Sequence, residues 1–150
     1  DLTGFRWTLS GYDVMASDNF GYLSLAGGAD GYFVTKHAKE PNATLLLVQE
    51  RLAEAASSYA VRHDIEAPGD RLLFHHLDFT ETPETNRDAM VAQIQSLHFR
   101  IFGDRIAADG EEVSANLELW SALYAIEQKP ERAWMGLLSA LLREPGILFY

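Results

Sequence analysis

The sequence predicts a mainly α fold: about four helices in a small bundle, preceded by an irregular segment rich in glycine and aromatic residues. Two observations carry this prediction. Apolar residues recur at intervals of three and four after Pro41, and residues 1–40 hold six of the eleven glycines and seven of the seventeen aromatic residues. Because 150 residues suit one domain, we expect a single unit, 1–150, in which segment 1–40 packs on a helical core, 41–150.

The glycines of segment 1–40 favour turns, because glycine adopts positive φ without a steric penalty. The pattern leaves short strands open at 21–25 and 32–35. The aromatic side chains of this segment have two interpretations: they cover one side of the helical core, or they form a groove for a ligand or a partner helix. The residues concerned are Trp7, Tyr12, Tyr22, Tyr32 and Phe33.

The first helix is predicted over 43–62. Pro41 is typical of a first helical turn, and the helix is expected to fade near His63. Its apolar stripe comprises Leu45, Val48, Leu52, Ala55 and Tyr59.

The second helix is predicted over 84–102, with Thr82 as its cap and Pro83 at its first position. Gly103 is expected to end it. The segment 71–77, which precedes this helix, is predicted to be extended. The apolar stripe of the second helix comprises Met90, Ile94, Leu97 and Ile101.

The third and fourth helices are predicted over 110–127 and 131–143. Asp109 and Glu112 have the spacing of a capping box, and Pro130 marks the fourth start. Short connections make the last three helices antiparallel neighbours. The core of the final helical hairpin is predicted to comprise Trp120, Tyr124, Trp134, Leu138 and Leu141.

The net charge of −10, from 22 acidic and 12 basic residues, disfavours nucleic-acid binding, because an acidic surface repels phosphate. It favours solubility, or contact with a basic partner such as a basic cytochrome. The absence of cysteine excludes disulfides, thiolate metal sites and covalent haem attachment within this sequence. No apolar run approaches the roughly 20 residues that a membrane-spanning helix needs.

The last fifty or so residues carry a family pattern: an arginine-containing helix, a helix start marked by glutamate, and an ending Ala-Trp-x-x-Leu-x-x-Ala-Leu-Leu-x-x-Pro. The matching positions are Arg100, Asp104, Arg105, Glu112, Trp134, Leu137, Ala140, Leu141, Leu142, Pro145 and Tyr150. This pattern resembles the C-terminal helical module of planctomycete-type cytochrome-associated proteins, which are exported bacterial proteins of largely undefined function.

The resemblance implies a periplasmic or extracellular accessory domain, attached to redox machinery or a membrane complex, and it supplies no catalytic residues. Relatives often carry a cytochrome c motif elsewhere in the polypeptide. This chain has none, so any haem would belong to another domain or to a partner such as a cytochrome.

His75, His76 and Asp78 form a local group whose imidazole and carboxylate ligands suit zinc, copper or iron. Neighbouring histidines in a strand point to opposite faces, so surface or structural roles are the alternative. His98 lies in the second helix without the partner spacing of a helical metal motif. A single helical histidine could still be an axial haem ligand.

Asp13, Asp18 and Asp30, set among glycines, offer carboxylate ligands for calcium. Their spacing is not that of an EF-hand loop, and aspartate also favours turns in the absence of a metal. Turn formation is therefore the alternative to a calcium site.

The leading functional hypothesis is a non-enzymatic accessory or interaction domain that docks to other protein domains or subunits and holds no cofactor of its own. The second hypothesis is a small-ligand or metal-binding domain that uses the aromatic segment and His75 with His76. The third is an enzyme of unknown class, although no catalytic triad, carboxylate pair or phosphate loop stands out.

Overall fold

The structure, a computed structural model, describes residues 2–14 and 43–144. In these ranges a short β-hairpin and four helices form a small helical bundle, as the sequence predicts. The elements are β1 (Thr8–Leu9), β2 (Tyr12–Asp13), α1 (Ala43–Glu66), α2 (Arg87–Phe102), α3 (Glu111–Glu127) and α4 (Pro130–Leu142). None of these helices is both long and apolar enough to cross a bilayer.

The hairpin is antiparallel, with Thr8 opposite Asp13, and was not predicted from the sequence. Its two turn residues, Ser10 and Gly11, have φ values of 52° and 82°. Positive φ at both central positions defines the turn whose twist matches that of paired strands, and glycine makes it accessible. The strands predicted at 21–25 and 32–35 lie outside the described residues.

Helix α1 extends to Glu66, beyond the predicted end near His63, and the predicted apolar stripe does not give its buried face. Tyr59 is 43% exposed, and Leu45, Leu52 and Ala55 are only half-buried. The stripe was misplaced because two polar residues lie on the core side, where each is hydrogen-bonded. The buried residues of α1 are Val48, Ala53, Ser57, Ala60, Val61 and Asp64.

The start of α2 corrects a second prediction, since Thr82 and Pro83 do not open the helix. The backbone N–H groups of Thr85 and Asn86 both donate to the Thr82 carbonyl, which closes a turn. The helix begins at Arg87 instead, with Asn86 as N-cap accepting from the backbone N–H of Ala89 over 3.2 Å. Gly103 ends the helix at φ 75°, as predicted.

The start of α3 corrects a third prediction, because the N-cap is Gly110 and not Asp109, and no side chain caps this end. Glu111 and Glu112 lie in the first turn, where carboxylates interact favourably with the helix dipole. Pro130 is the first residue of α4, as predicted.

Helix α4 is the centre of the bundle: it packs most extensively on α1 and α3, and it also contacts α2. Trp134 of α4 is fully buried, with its ring centroid 6.0 Å from that of Trp120 and 5.6 Å from that of Phe74. Leu138 and Leu141 are also buried, so the predicted core of the α3–α4 hairpin is confirmed. Tyr124 is half-buried and stacks on Trp120.

The connection between α1 and α2 is held by buried polar side chains and is not the extended stretch predicted for 71–77. The Asp64 carboxylate is fully buried and accepts from the backbone N–H groups of Leu72, Leu73 and Phe74 at 2.6–2.8 Å. Gln93 of α2 accepts from the backbone N–H of His76 and donates to the Leu73 carbonyl. These bonds satisfy the backbone without strand pairing.

The Arg71 side chain fixes the second half of the same connection. Its guanidinium donates to the carbonyls of Phe74 and Leu77 at 3.1 and 2.6 Å and pairs with Asp78 at 2.6 Å. The connection is therefore tied to α1 through Asp64, to α2 through Gln93, and to itself through Arg71.

Candidate functional site

A cleft of about 470 Å³ opens where α2, α3 and the end of α4 meet. We call it the acidic cleft, because among the described residues three carboxylates line it and no lysine or arginine side chain does. Its polar lining consists of His98, Asp104, Glu112, Asn116 and Glu144, and its apolar lining consists of Phe102, Ile106, Ala115, Leu119, Ala140 and Leu141.

His98 and Asn116 are joined across the α2–α3 contact. The Asn116 amide Nδ2 lies 3.0 Å from His98 Nε2 and donates to the Glu112 carbonyl over 2.7 Å. An amide nitrogen only donates, so Nε2 is the acceptor and the neutral imidazole carries its proton on Nδ1. The Phe102 ring, one turn further along α2, packs against the imidazole at 5.4 Å between centroids. The imidazole is therefore held in one orientation.

The pKa of His98 is lowered from its ordinary value of 6.5 because burial disfavours the charged imidazolium. The carboxylates of Glu112, Asp104 and Glu144 act in the opposite direction, and burial outweighs them. At neutral pH the cleft therefore combines a neutral imidazole with negative charge.

The three carboxylates of the cleft come from three elements: Asp104 from the α2–α3 connection, Glu112 from the first turn of α3, and Glu144 from the residues after α4. Each lacks an ion-pair partner within 4.0 Å among the described residues. The Gln95 side chain of α2 donates to the Ile106 carbonyl over 2.8 Å and fixes the connection that carries Asp104. The site is thus negatively charged, and the backbone next to Asp104 is held in place.

The acidic cleft suits a cation on an apolar stem. Carboxylates at the rim attract an ammonium or guanidinium group, while Phe102, Ile106 and Leu119 offer apolar contact to the stem. Nε2 of His98 accepts the hydrogen bond from Asn116, so this ring nitrogen is already engaged by another residue of the lining.

Two of the predicted metal ligands, His75 and Asp78, have arginine partners. Asp78 pairs with Arg71, and His75 Nε2 accepts from the Arg100 guanidinium over 2.9 Å. The His76 side chain is exposed and lines a different cleft. In the parts of the chain that the structure describes, no three histidine or acidic side chains are grouped as a metal-ligand set.

The other candidates lie at the front of the chain. Asp13 is in the hairpin, 3.9 Å from the Arg6 guanidinium, whereas Asp18 and Asp30 lie outside the described residues. Trp7 is half-buried and Tyr12 is 61% exposed. Of the predicted aromatic groove, Tyr22, Tyr32 and Phe33 also lie outside the described residues.

Sequence reasoning singled out His98 but missed its partners. The spacing within each helix did indicate a shared face. His98 and Phe102 are four residues apart, and so are Glu112 and Asn116, so each pair lies on one face of its helix. Nothing in the sequence indicated that these two faces meet. That contact depends on how α2 crosses α3.

Comparisons with protein-family models, with curated proteins and with solved structures gave no match for this chain.

Proposed function

We propose that this domain is a non-enzymatic accessory domain that binds a basic protein partner, with the acidic cleft receiving a lysine or arginine side chain. The observation that carries the proposal is the convergence of Asp104, Glu112 and Glu144 around one apolar-floored cleft without a basic partner among the described residues. An inserted cation would supply the missing counter-charge.

The chemistry of the cleft supports a side chain as the ligand. A lysine or arginine stem is apolar, which fits Phe102 and Ile106, while its charged end reaches the carboxylates. Leu119 at the cleft is 38% exposed, which gives the partner an apolar contact beside the charge. Burying an apolar contact next to a charge-assisted hydrogen bond is typical of interface anchors.

The overall charge supports a basic partner. A net charge of −10 attracts a positively charged protein over long range and raises its association rate, an effect that weakens with salt. The family resemblance of the last fifty or so residues suggests where such a partner would be found, namely in an exported redox or membrane complex. A basic cytochrome has the required charge.

The test is a titration of the isotopically labelled chain with N-acetyl-arginine methylamide, followed by nuclear magnetic resonance. We expect saturable shifts of the Asn116 side-chain amide and the His98 ring, with an affinity of the order of 1 mM, or about −4 kcal/mol. Replacing the three carboxylates together (Asp104→Asn, Glu112→Gln and Glu144→Gln) should weaken binding by about tenfold, because three exposed ion pairs of roughly 0.5 kcal/mol each contribute about 1.5 kcal/mol.

The matched control removes three exposed carboxylates outside the cleft: Glu84→Gln, Glu118→Gln and Glu127→Gln. It changes the net charge by the same amount and should keep most of the affinity. Equal weakening in both triple variants would mean that only the global charge acts. In that case the cleft would not be the binding site.

A further inference from the structure

A second cleft, of about 460 Å³, lies on the other side of the α2–α3 connection, and its lining has the opposite charge character. We call it the Arg105 cleft. Among the described residues its lining includes His76, Gln95, Ser96, Phe99, Arg105 and Ile106, and it includes no acidic side chain. Ile106 borders both clefts, so adjacent residues of one connection supply Asp104 to the first and Arg105 to the second.

The Arg105 side chain is held by an aromatic ring and has no acidic partner among the described residues. Its guanidinium carbon lies 5.3 Å from the centroid of the Phe99 ring, which is the geometry of a cation–π contact. Within the described ranges no carboxylate comes within 4.0 Å of it, although the chain has 22 acidic residues. A guanidinium resting on a ring still presents its N–H edge to a ligand.

Another arginine and two histidines lie near the end of α2. Arg100, the residue after Phe99, donates to His75, so both side chains lie beside the end of α2. His76 follows in sequence and lines the cleft itself. The backbone that carries Arg105 is fixed by the hydrogen bond from the Gln95 side chain to the Ile106 carbonyl.

We propose that the Arg105 cleft binds a small aromatic monocarboxylate. The carboxylate would take the two parallel N–H groups of Arg105, the geometry in which arginine recognises a planar anion. The flat body of the ligand would lie against Phe99, which is 50% exposed, and against Ile106. The volume falls within the roughly 300–1,000 Å³ that is usual for small-molecule sites.

Two observations favour a monocarboxylate over a phosphate as the ligand of the Arg105 cleft. Ala92, Phe99 and Ile106 make much of the lining apolar, which gives little to a small, fully hydrated anion. The net charge of −10 also repels a doubly charged anion more strongly than a singly charged one. This inference is independent of cation binding at the acidic cleft.

The experiment titrates the labelled chain with sodium benzoate at constant ionic strength, followed by nuclear magnetic resonance. We expect saturable changes in chemical shift that are confined to the Arg105 side-chain N–H, the Phe99 ring and the His76 ring. Arg105→Gln should weaken binding by at least about tenfold, and Phe99→Ala by about fivefold. Inorganic phosphate should produce no saturable shift at these residues.

Arg132→Gln is the matched control, because Arg132 is an exposed arginine of α4 outside the Arg105 cleft, and this variant should bind benzoate as the parent chain does. Both Arg105 and Phe99 are exposed enough for their variants to fold, which unchanged backbone spectra would verify. Shifts that stay linear with benzoate concentration, or that persist in Arg105→Gln, would overturn the proposal. Phosphate binding as tight as benzoate binding would overturn the choice of ligand class.

Discussion

Asn116 of α3 donates a 3.0 Å hydrogen bond to His98 of α2 and so links the two helices within the lining of the acidic cleft. The bond requires an imidazole that accepts at Nε2, so a ring protonated at both nitrogens would lose it. Burial lowers the pKa of His98 below 6.5, which keeps the acceptor form dominant at neutral pH. His98 therefore makes the charge of the cleft sensitive to acidic conditions.

Binding of a cation at the acidic cleft should weaken as pH falls below 6.5. Because the pKa of His98 is lowered from that value, the imidazole gains its proton only below it, and the new positive charge repels the ligand. We expect the affinity for N-acetyl-arginine methylamide to fall as pH is lowered from 7.5 through the lowered pKa of His98. His98→Gln keeps an acceptor for Asn116 but cannot gain the charge, so its affinity should change much less over this range.

An unchanged affinity in the parent chain, or an equal decline in His98→Gln, would contradict this role for His98. The lowered pKa of His98 also makes the stability of the folded chain depend on pH. The unfolded chain binds the His98 proton more readily than the folded chain does, so the folded state loses stability as pH falls below 6.5. Thermal unfolding of the parent chain and of His98→Gln at pH 7.5 and pH 5 measures this loss of stability separately from binding.

A second prediction concerns Asp64, whose buried carboxylate accepts three backbone N–H groups. Asp64→Asn replaces one acceptor oxygen by a donor facing those groups, which leaves buried donors without partners. We expect it to lower the free energy of unfolding by about 3 kcal/mol at pH 7, as measured by urea denaturation. Asp70→Asn, at an exposed position of the same connection, should change stability by less than about 0.5 kcal/mol.

The stabilisation by Asp64 also depends on pH, but here hydrogen bonds favour the charged form, whereas burial disfavours the charged form of His98. Burial alone would raise the pKa of the Asp64 carboxyl, but the backbone N–H groups of Leu72, Phe74 and Leu73, together with His63, lower it below 3.8. The stabilisation is therefore fully present above pH 3.8 and is lost as pH falls through the lowered pKa. The difference between the parent chain and Asp64→Asn should be constant from pH 7 to pH 5 and shrink below pH 4. A difference that grows on acidification would show that the carboxylate is not held in its charged form.

Asp64 also illustrates why the sequence could predict the helices but not their buried faces everywhere. In α4, apolar residues alone occupy the core side, so the positions of Trp134 and Leu138 followed from spacing. In α1, Ser57 and Asp64 lie on the core side, and their hydrogen bonds to backbone groups outweigh the ordinary preference of polar residues for solvent. For Ser57 the acceptor is the Ala53 carbonyl of the same helix, whereas for Asp64 the donors belong to a connection whose path helical periodicity does not describe.

The acidic cleft was unpredictable for a related reason. His98 and the helices that carry it could be identified, and the hydrogen bond within α3 from Asn116 to Glu112 follows helical spacing. Asp104 and Glu144, however, enter the cleft from residues after α2 and α4, where no periodic pattern exists. Their convergence is a property of the packed bundle.

A third prediction concerns the close approach of α3 and α4 at Gly136. A methyl group added there would lie 2.8 Å from Leu123 Cδ1, so Gly136→Ala must displace that side chain. We expect a loss of about 1 kcal/mol, since the strain exceeds the gain in helix propensity. In a Leu123→Ala background, the same change should instead stabilise by about 1 kcal/mol, because only the propensity gain remains. Denaturation of the four chains of this double-mutant cycle measures the coupling, and strictly additive effects would exclude the contact.

The last prediction concerns Trp134, which α4 places against Trp120 and Phe74 at the centre of the bundle. Trp134→Ala should lower the free energy of unfolding by about 3–5 kcal/mol, through lost transfer energy and the cavity left behind. That is a large share of an ordinary domain stability of about 5–15 kcal/mol, so the melting temperature should fall severely.

Two control variants separate packing from other roles of Trp134. Its indole N–H is buried without an acceptor among the described residues, so Trp134→Phe removes no hydrogen bond and should cost much less than the alanine variant, about 1–2 kcal/mol. Glu118→Ala, at an exposed position of α3, should change little. If Trp134→Ala kept its melting temperature and lost only the binding of arginine methylamide, Trp134 would belong to a docking surface. Because the Trp134 side chain is fully buried, we expect the opposite result: the domain is destabilised. The molecules that remain folded should still bind the cation, since Trp134 does not line the acidic cleft.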